Sequence, residues 1–165
     1  MNRLLKLLDA PANLLVWLAL LAGSMMMLHV TIDVAARALL NYPIAGTNEV
    51  VSAYYMVAAA FLPWAWIARS NGHISVELFT RKAPPLVNEW LDILVKVLTI
   101  LYVGVFTWQT GARAIDQIRA GEVWQIPGGF LPIWPSRCLL PLAGGLMVLY
   151  LLVRVASDIA RTVRR

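Results

Sequence analysis

The chain has 165 residues, of which 60% are hydrophobic and only 14% are charged. An average soluble domain is about one-quarter charged, and a domain of this size leaves much of its surface in water, so the composition excludes an ordinary soluble protein. The net charge of +5 does not indicate nucleic-acid binding, because the basic residues lie at the ends of apolar runs and form no patch with interleaved aromatic residues. The single cysteine, Cys138, excludes an intramolecular disulfide and a cysteine metal cluster.

The N-terminal part of the chain predicts an interfacial helix followed by a first transmembrane span. Residues 1–10 combine leucines with Arg3 and Lys6, which is typical of a short amphipathic helix in the headgroup layer. Residues 10–32 carry no charge, and Pro11 is suited to the first turn of a helix, so a span is predicted over 11–36. A signal peptide is the alternative, but the apolar run is longer than usual for one and further apolar runs follow.

Three polar residues are spaced four apart where the first span ends. His29, Asp33 and Arg37 share one helix face, and Asp33 precedes Arg37 in the order that favours an ion pair. This spacing predicts a salt bridge where the helix leaves the membrane, and a contact with another subunit is the alternative. A proton relay through His29 and Asp33 is disfavoured, because no further acids continue it across the bilayer.

The segment NYPIAGTNE at 41–49 predicts a turn followed by a second span over 47–69. Gly46 is a turn residue, and the side chain of Thr47 or Asn48 is expected to cap the next helix. Glu49 then lies in the first helical turn, where the helix dipole favours an anion. Capping accounts for these residue types without a functional role.

The loop after the second span contains the segment NGHISVE at 71–77. His73 is a conceivable metal ligand, but the chain has only one other histidine, so a structural loop histidine is favoured. The segment ISVELF at 74–79 is predicted to return to the membrane interface as a short amphipathic segment.

A third span is predicted over 86–117 and contains a lysine. Lys96 follows Asp92 by four residues, so an ion pair between them, or snorkelling of the lysine, is expected to lower its cost in lipid. Arg113, Asp116 and Arg119 follow at intervals of three, which predicts that the helix continues beyond the membrane as an amphipathic rod.

The segment WQIPGGFLPIWP at 124–135 precedes a fourth span predicted over 131–158. Its three prolines and its Gly-Gly pair exclude a continuous helix there. Because the segment is apolar and uncharged, we expect it to fold onto the membrane surface or to pack against another protein.

The distribution of Lys and Arg predicts the orientation. The N-terminal segment, the middle loop and the C-terminal tail together carry nine of these residues, against four in the other two loops. The positive-inside rule then places both chain ends in the cytoplasm. The sequence therefore predicts an all-α integral membrane protein of one domain over 1–165, with four transmembrane helices plus short interfacial amphipathic segments.

The sequence contains no pattern that indicates catalysis. Two histidines cannot supply a bis-histidine di-haem site, no CxxC motif is present, and no acid-rich segment interrupts the middle of a span. A scaffold is therefore favoured. Two alternatives remain: a small four-helix membrane enzyme using Tyr54 and Tyr55 beside Glu49, and an independent homodimeric exporter using Asp33 as its acid.

Three segments together resemble the small permease subunit of the tripartite ATP-independent periplasmic (TRAP) transporters, DctQ type. They are DVAARALLNYPIAGTNEVV at 33–51, ARSNGHISVELF at 68–79, and the tryptophan- and proline-rich segment at 124–135. The resemblance covers nearly the whole chain.

The resemblance implies a bacterial inner-membrane protein that is not an enzyme and that binds no cofactor itself. It implies two protein partners besides membrane lipid: a separate large permease subunit, which is expected to bind sodium and an organic anion, commonly a carboxylate, and a periplasmic substrate-binding protein. No nucleic acid is expected. The residues predicted to have structural or subunit-contact roles are Asp33, Arg37, Asn41, Gly46, Thr47, Glu49, His73, Asp92, Lys96, Trp124, Pro127, Trp134 and Pro135.

Overall fold

The computed structural model describes the backbone of residues 2–69 and 85–162 and the side chains of 8–69 and 87–160. Its first element is a single long helix, α1 (Asn2–Leu40), which contains Pro11 without a break. The expectation of a separate helix over residues 1–10 is therefore wrong at the level of the backbone. Proline removes one hydrogen bond from the helix, and the remaining backbone bonds on both sides keep the helix continuous.

The second apolar run forms a nearly continuous rod built from four pieces. These are α2 (Thr47–Val50), a π-helical segment (Val51–Tyr55), α3 (Met56–Phe61) and α4 (Trp64–Arg69). Pro63 lacks an N–H and interrupts the rod between α3 and α4, but its carbonyl accepts a hydrogen bond from the amide of Ile67 at 3.0 Å. We refer to Thr47–Arg69 as the second span.

Helix α5 (Pro85–Ala120) is the third long helix and continues through the charged segment at 113–119, as predicted. It ends in a Schellman motif. The amide of Glu122 donates to the carbonyl of Gln117 at 3.1 Å, and the amide of Gly121 donates to the carbonyl of Ile118 at 3.2 Å. Gly121 has a φ of 61°, a conformation that glycine adopts at little cost.

The proline-rich segment before the fourth span forms a β-hairpin. Strand β1 (Val123–Ile126) pairs antiparallel with β2 (Gly129–Pro132), with Trp124 opposite Leu131. The predicted fourth span began at residue 131, but that position belongs to the hairpin. The helical part starts later, as α6 (Trp134–Arg137) and α7 (Leu139–Thr162).

Helix α7 is the centre of the bundle and packs against helices of all three other spans, most extensively against α5. Two apolar clusters form the core. One consists of Leu15, Ala19, Ala58, Leu62 and Ala143, and the other of Ala68, Val103, Met147, Tyr150 and Leu151. The many alanines allow the helices to approach closely, as is usual in membranes.

Helices α5 and α7 approach each other closely at Gly144. A Cβ atom added to Gly144 would overlap the hydroxyl oxygen of Thr107, whereas one added to Gly145 would meet nothing within 4 Å. Of the two glycines within α5, a Cβ atom added to Gly111 would make only an ordinary contact with Pro141, and one added to Gly104 would make none.

Four helical stretches are long and apolar enough to cross a membrane: Leu8–Leu40, Thr47–Arg69, Val87–Ala120 and Trp134–Ala160. The first and third are the least buried within the bundle, so most of their apolar side chains point outward. The fold is therefore that of an all-α membrane protein with four spans, as predicted.

Candidate functional site

Asp33 is a buried carboxylate that joins α1 to the loop after it. The residue is only 4% exposed. Its Oδ2 accepts hydrogen bonds from Nε and Nη2 of Arg37, at 3.0 and 2.7 Å, which confirms the predicted ion pair. Its Oδ1 accepts a bond from the backbone N–H of Ile44 at 2.8 Å. One carboxylate thus fixes both the arginine and the course of the loop at 41–46.

The loop enters the second span without the predicted side-chain cap. The N-cap is Gly46, with a φ of 84°, and no side chain accepts a bond from the first turn. The hydroxyl of Thr47 instead donates backwards to the carbonyl of Ile44 at 3.2 Å, so the capping role expected of Thr47 or Asn48 is wrong. Glu49 lies in the first turn of α2, and Asn41, with a φ of 50°, turns the chain out of α1.

His29 faces the second span and has no contact with Asp33 that would serve a proton relay. Its Nε2 lies 3.5 Å from the hydroxyl of Thr47. Its ring meets that of Tyr55 edge to face, with 5.9 Å between the ring centroids. His29 is therefore part of the packing between α1 and the second span.

The π-helical segment directs two adjacent tyrosines to different elements. Tyr55 contacts His29 on α1, while the hydroxyl of Tyr54 donates a hydrogen bond to the carbonyl of Pro132 at the end of β2. The two tyrosines do not converge with Glu49 on one cavity. This arrangement removes the feature on which the membrane-enzyme alternative depended.

The loop at 41–46 and the hairpin at 123–132 meet at one end of the bundle, which we call the hairpin end. A Cβ atom on Gly46 would lie 3.3 Å from Cδ1 of Ile126, so the loop glycine packs directly against the hairpin. At the base of the hairpin, Arg137 donates to Glu122 through Nε and Nη2, at 3.1 and 3.0 Å. Through these contacts, the two segments that connect the spans at the hairpin end pack against each other.

The predicted contact residues of the segment at 124–135 lie in different parts of the hairpin and of the helix that follows it. Pro127 and Gly128 form the turn, and Gly128 has the positive φ of 92° that the third position of a type II turn requires. Trp124 and Trp134 are both partly exposed, at 38% and 39%. Pro135 lies in the first turn of α6, where a missing N–H is tolerated.

An open cleft of about 490 Å³ lies between the end of α1 and the start of the second span. Arg37, Thr47 and Asn48 line its polar part, with Asp33 behind the arginine. Its other lining residues are apolar: Val30, Val34, Ala38 and Val51.

A second set of polar residues lies at the opposite end of the bundle. Arg154 of α7 donates to the carbonyls of Ala68 and Arg69, both at 3.0 Å, and thereby caps the second span. Arg69 in turn bonds Oδ1 of Asn13 at 2.8 Å and lies 3.5 Å from Asp9.

Lys96 is paired in the structure, but not with the predicted partner. Its Nζ lies 2.7 Å from Oδ2 of Asp158 on α7, while Asp92 is exposed on the surface of α5. Lys96 points toward α7 because α5 packs against that helix. His73 lies outside the described residues. Within the described ranges, no group of three or more His, Cys, Asp or Glu residues is arranged to hold a metal ion.

The sequence reasoning missed four residues that organise the two ends, Glu122, Arg137, Arg154 and Asp158, and it did not predict the contact of Tyr54 with the hairpin. Their partners are distant in the chain, so no local spacing indicates them. The only available signal was that each polar side chain stands beside an apolar run and needs a partner there.

Comparison with known families gives one match. The model of the family described as "Tripartite ATP-independent periplasmic transporters, DctQ component" matches residues 26–161. Comparisons with curated proteins and with solved structures found no match. The family match covers the last three spans and the part of α1 from residue 26 onward. It includes the hairpin end and the contacts of Arg154 and Lys96 at the opposite end, but not Asp9 and Asn13. The chain therefore belongs to the DctQ component family of the tripartite ATP-independent periplasmic transporters.

Proposed function

We propose that this chain is the small scaffold subunit of a TRAP-type secondary transporter in the bacterial inner membrane. It supports a separate large permease subunit, which imports an organic anion, with a carboxylate as the expected class, together with sodium. A periplasmic binding protein delivers that anion. In this proposal the chain binds neither sodium nor the transported anion.

The observation that carries the proposal is the position of the charged residues. The middle parts of all four spans carry no charge, and several charges that border them are paired at the two ends, Asp33 with Arg37 and Lys96 with Asp158. A transport site for an anion and sodium requires polar groups within the membrane. Pairing at the ends instead supports a rigid element of a larger assembly.

The exporter alternative loses its support for the same reason. Its acid would be Asp33, and both carboxylate oxygens of Asp33 are engaged by Arg37 and Ile44. A carboxylate held by two partners and nearly closed to solvent is a structural group.

The test is co-expression with a large permease subunit and a periplasmic binding protein of the TRAP type from the same organism. We expect the two membrane chains to co-purify in mild detergent. In proteoliposomes, sodium-driven uptake of a labelled carboxylate should require both membrane chains together with the binding protein. Uptake by this chain alone, or by the large subunit without it at the full rate, would overturn the proposal.

The hairpin end is the proposed contact with the substrate-loaded binding protein. Phe130 is 71% exposed on the outer face of the hairpin, so a substitution there should leave the fold intact. We expect Phe130→Glu to lower uptake at limiting binding protein. The matched control is Val87→Glu, on an exposed residue at the opposite end, which should leave the dependence on binding protein unchanged.

A further inference from the structure

The cleft between α1 and the second span has a graded lining. On α1, Val30 lies seven residues before Arg37, which places it about 10 Å farther from the hairpin end. On the second span, Val51 lies one turn beyond Asn48, in the same direction because the two helices are antiparallel. Both walls therefore change from polar at the hairpin end to apolar toward the middle of the membrane.

Arg37 provides free hydrogen-bond donors at the polar part of the cleft. Asp33 engages its Nε and Nη2, and the arginine side chain is still 51% exposed. Within the described part of the chain, Nη1 has no acceptor. The ion pair holds the planar guanidinium in a fixed orientation, and a guanidinium suits the oxygens of a phosphate.

We propose that this cleft binds one membrane phospholipid. Its phosphate accepts hydrogen bonds from Arg37 and Asn48, and the upper part of an acyl chain lies along Val30, Val34 and Val51. The graded lining favours a phospholipid over a soluble anion, because a soluble anion would gain nothing from the row of valines. The position also fits, since the polar part of the cleft lies at the end of two spans, at the depth of the headgroups.

The test is native mass spectrometry of the purified full-length chain, with synthetic phosphatidylethanolamine and phosphatidylglycerol added. We expect the chain to retain one phospholipid through delipidation. Arg37→Gln removes the phosphate contact, and Ala38→Phe fills the cleft while leaving the ion pair intact. For Arg37→Gln we expect the dissociation constant to rise about tenfold, the scale of one lost charge-assisted hydrogen bond. For Ala38→Phe, whose ring occupies the space of the lipid, we expect the retained lipid to be lost.

Two matched controls separate the cleft from general effects. Arg137→Gln breaks the other arginine–carboxylate pair of the hairpin end, outside the cleft. Ala35→Phe adds the same bulk to an exposed position of α1 that does not line the cleft. Both should retain the lipid as the unchanged chain does.

Three results would overturn the proposal. The first is equal lipid retention by Ala38→Phe and Ala35→Phe. The second is displacement of the lipid by glycerol phosphate at similar concentration, which would identify a site for soluble anions. The third is unchanged lipid retention by Ala38→Phe together with lost co-purification of the large subunit, which would identify the cleft as a protein contact. The first two results are measured on this chain alone and do not depend on the proposed transporter role; only the third requires the large subunit.

Discussion

At the scale of single residues, the carboxylate of Asp33 connects two parts of the fold. A buried carboxylate is unfavourable unless charge and hydrogen bonds compensate it, and here Arg37 supplies the charge and the amide of Ile44 a second bond. The carboxylate therefore couples the end of α1 to the loop that leads into the second span. The loop adopts one course because this contact selects it.

We expect Asp33→Asn and Asp33→Ala to differ in a defined way. Asparagine retains a carbonyl oxygen for the Ile44 amide, but its NH2 group cannot accept the hydrogen bonds of Arg37, whereas alanine loses both contacts. Amide hydrogen exchange at Ile44 should therefore be slow in the unchanged chain, faster in Asp33→Asn and fastest in Asp33→Ala.

The control for this series is Glu122→Gln, which breaks the pair with Arg137 elsewhere at the hairpin end. It should leave exchange at Ile44 unchanged. Equal exchange at Ile44 in all the variants would show that Asp33 does not hold the loop.

The prediction of a local partner was confirmed for Asp33 and Arg37 but was wrong for Lys96, which pairs with Asp158 instead of Asp92. The pair of Asp33 and Arg37 follows from a spacing of four residues on one helix. The bond from Ile44 to Asp33 spans 11 residues, and that from Lys96 to Asp158 spans 62. Contacts of this kind depend on how the elements pack, which the spacing of residues does not determine.

At the scale of elements, the hairpin shows how a local pattern was misinterpreted. The prolines and glycines of 124–135 excluded a helix correctly, but the two-residue Pro127–Gly128 turn between short apolar runs is also a hairpin pattern. Pro132 is tolerated because it ends an edge strand, where the absence of an N–H removes no essential bond.

Gly128→Ala should weaken the hairpin, and Gly129→Ala should not. At a φ of 92°, a side chain at position 128 is strained, with an expected cost of about 1–2 kcal/mol. A Cβ at either glycine would meet nothing within 4 Å, so backbone conformation alone distinguishes the two positions. Amide exchange across residues 123–132 measures the effect, and equal exchange in both variants would contradict it.

Helix packing leads to a second pair of glycine substitutions. Gly144→Ala brings a methyl group into the hydroxyl of Thr107, whereas Gly145→Ala adds one in open space. Overpacking of this kind should destabilise the chain by about 1–3 kcal/mol. Gly145→Ala should be neutral or slightly stabilising. Unfolding in mixed detergent micelles measures the difference.

A double substitution tests the cause of that difference. In Thr107→Ala with Gly144→Ala the obstructing hydroxyl is gone, so most of the lost stability should return. If the two substitutions are additive, the contact between α5 and α7 at this point is not the reason for the effect.

At the scale of the whole molecule, the count and order of spans were predictable because they depend on long uncharged runs. How the four spans pack against one another was not predictable. The central place of α7 and the outward faces of α1 and α5 depend on which small residues meet, and alanine is frequent in all four spans. The separate interfacial helix was wrong because proline was treated as a boundary.

The orientation remains a prediction and is open to a direct test. In a Cys138→Ser background, a membrane-impermeant maleimide should label Tyr42→Cys in intact spheroplasts, since Tyr42 is 72% exposed in the loop after α1. Arg165→Cys should react only after lysis, because the charge distribution places the C-terminus in the cytoplasm. The reverse pattern would invert the topology.

The central position of α7 has a consequence for biosynthesis. This helix is translated after the other three spans, so α5 enters the membrane before its most extensive packing partner has been made. During that interval Lys96 lacks Asp158, and the last carbonyls of the second span lack Arg154. Assembly of these four spans is therefore completed only after α7 has been made. A nascent chain released before α7 would retain these unpaired polar groups, a feature by which membrane proteases could distinguish it from the finished protein.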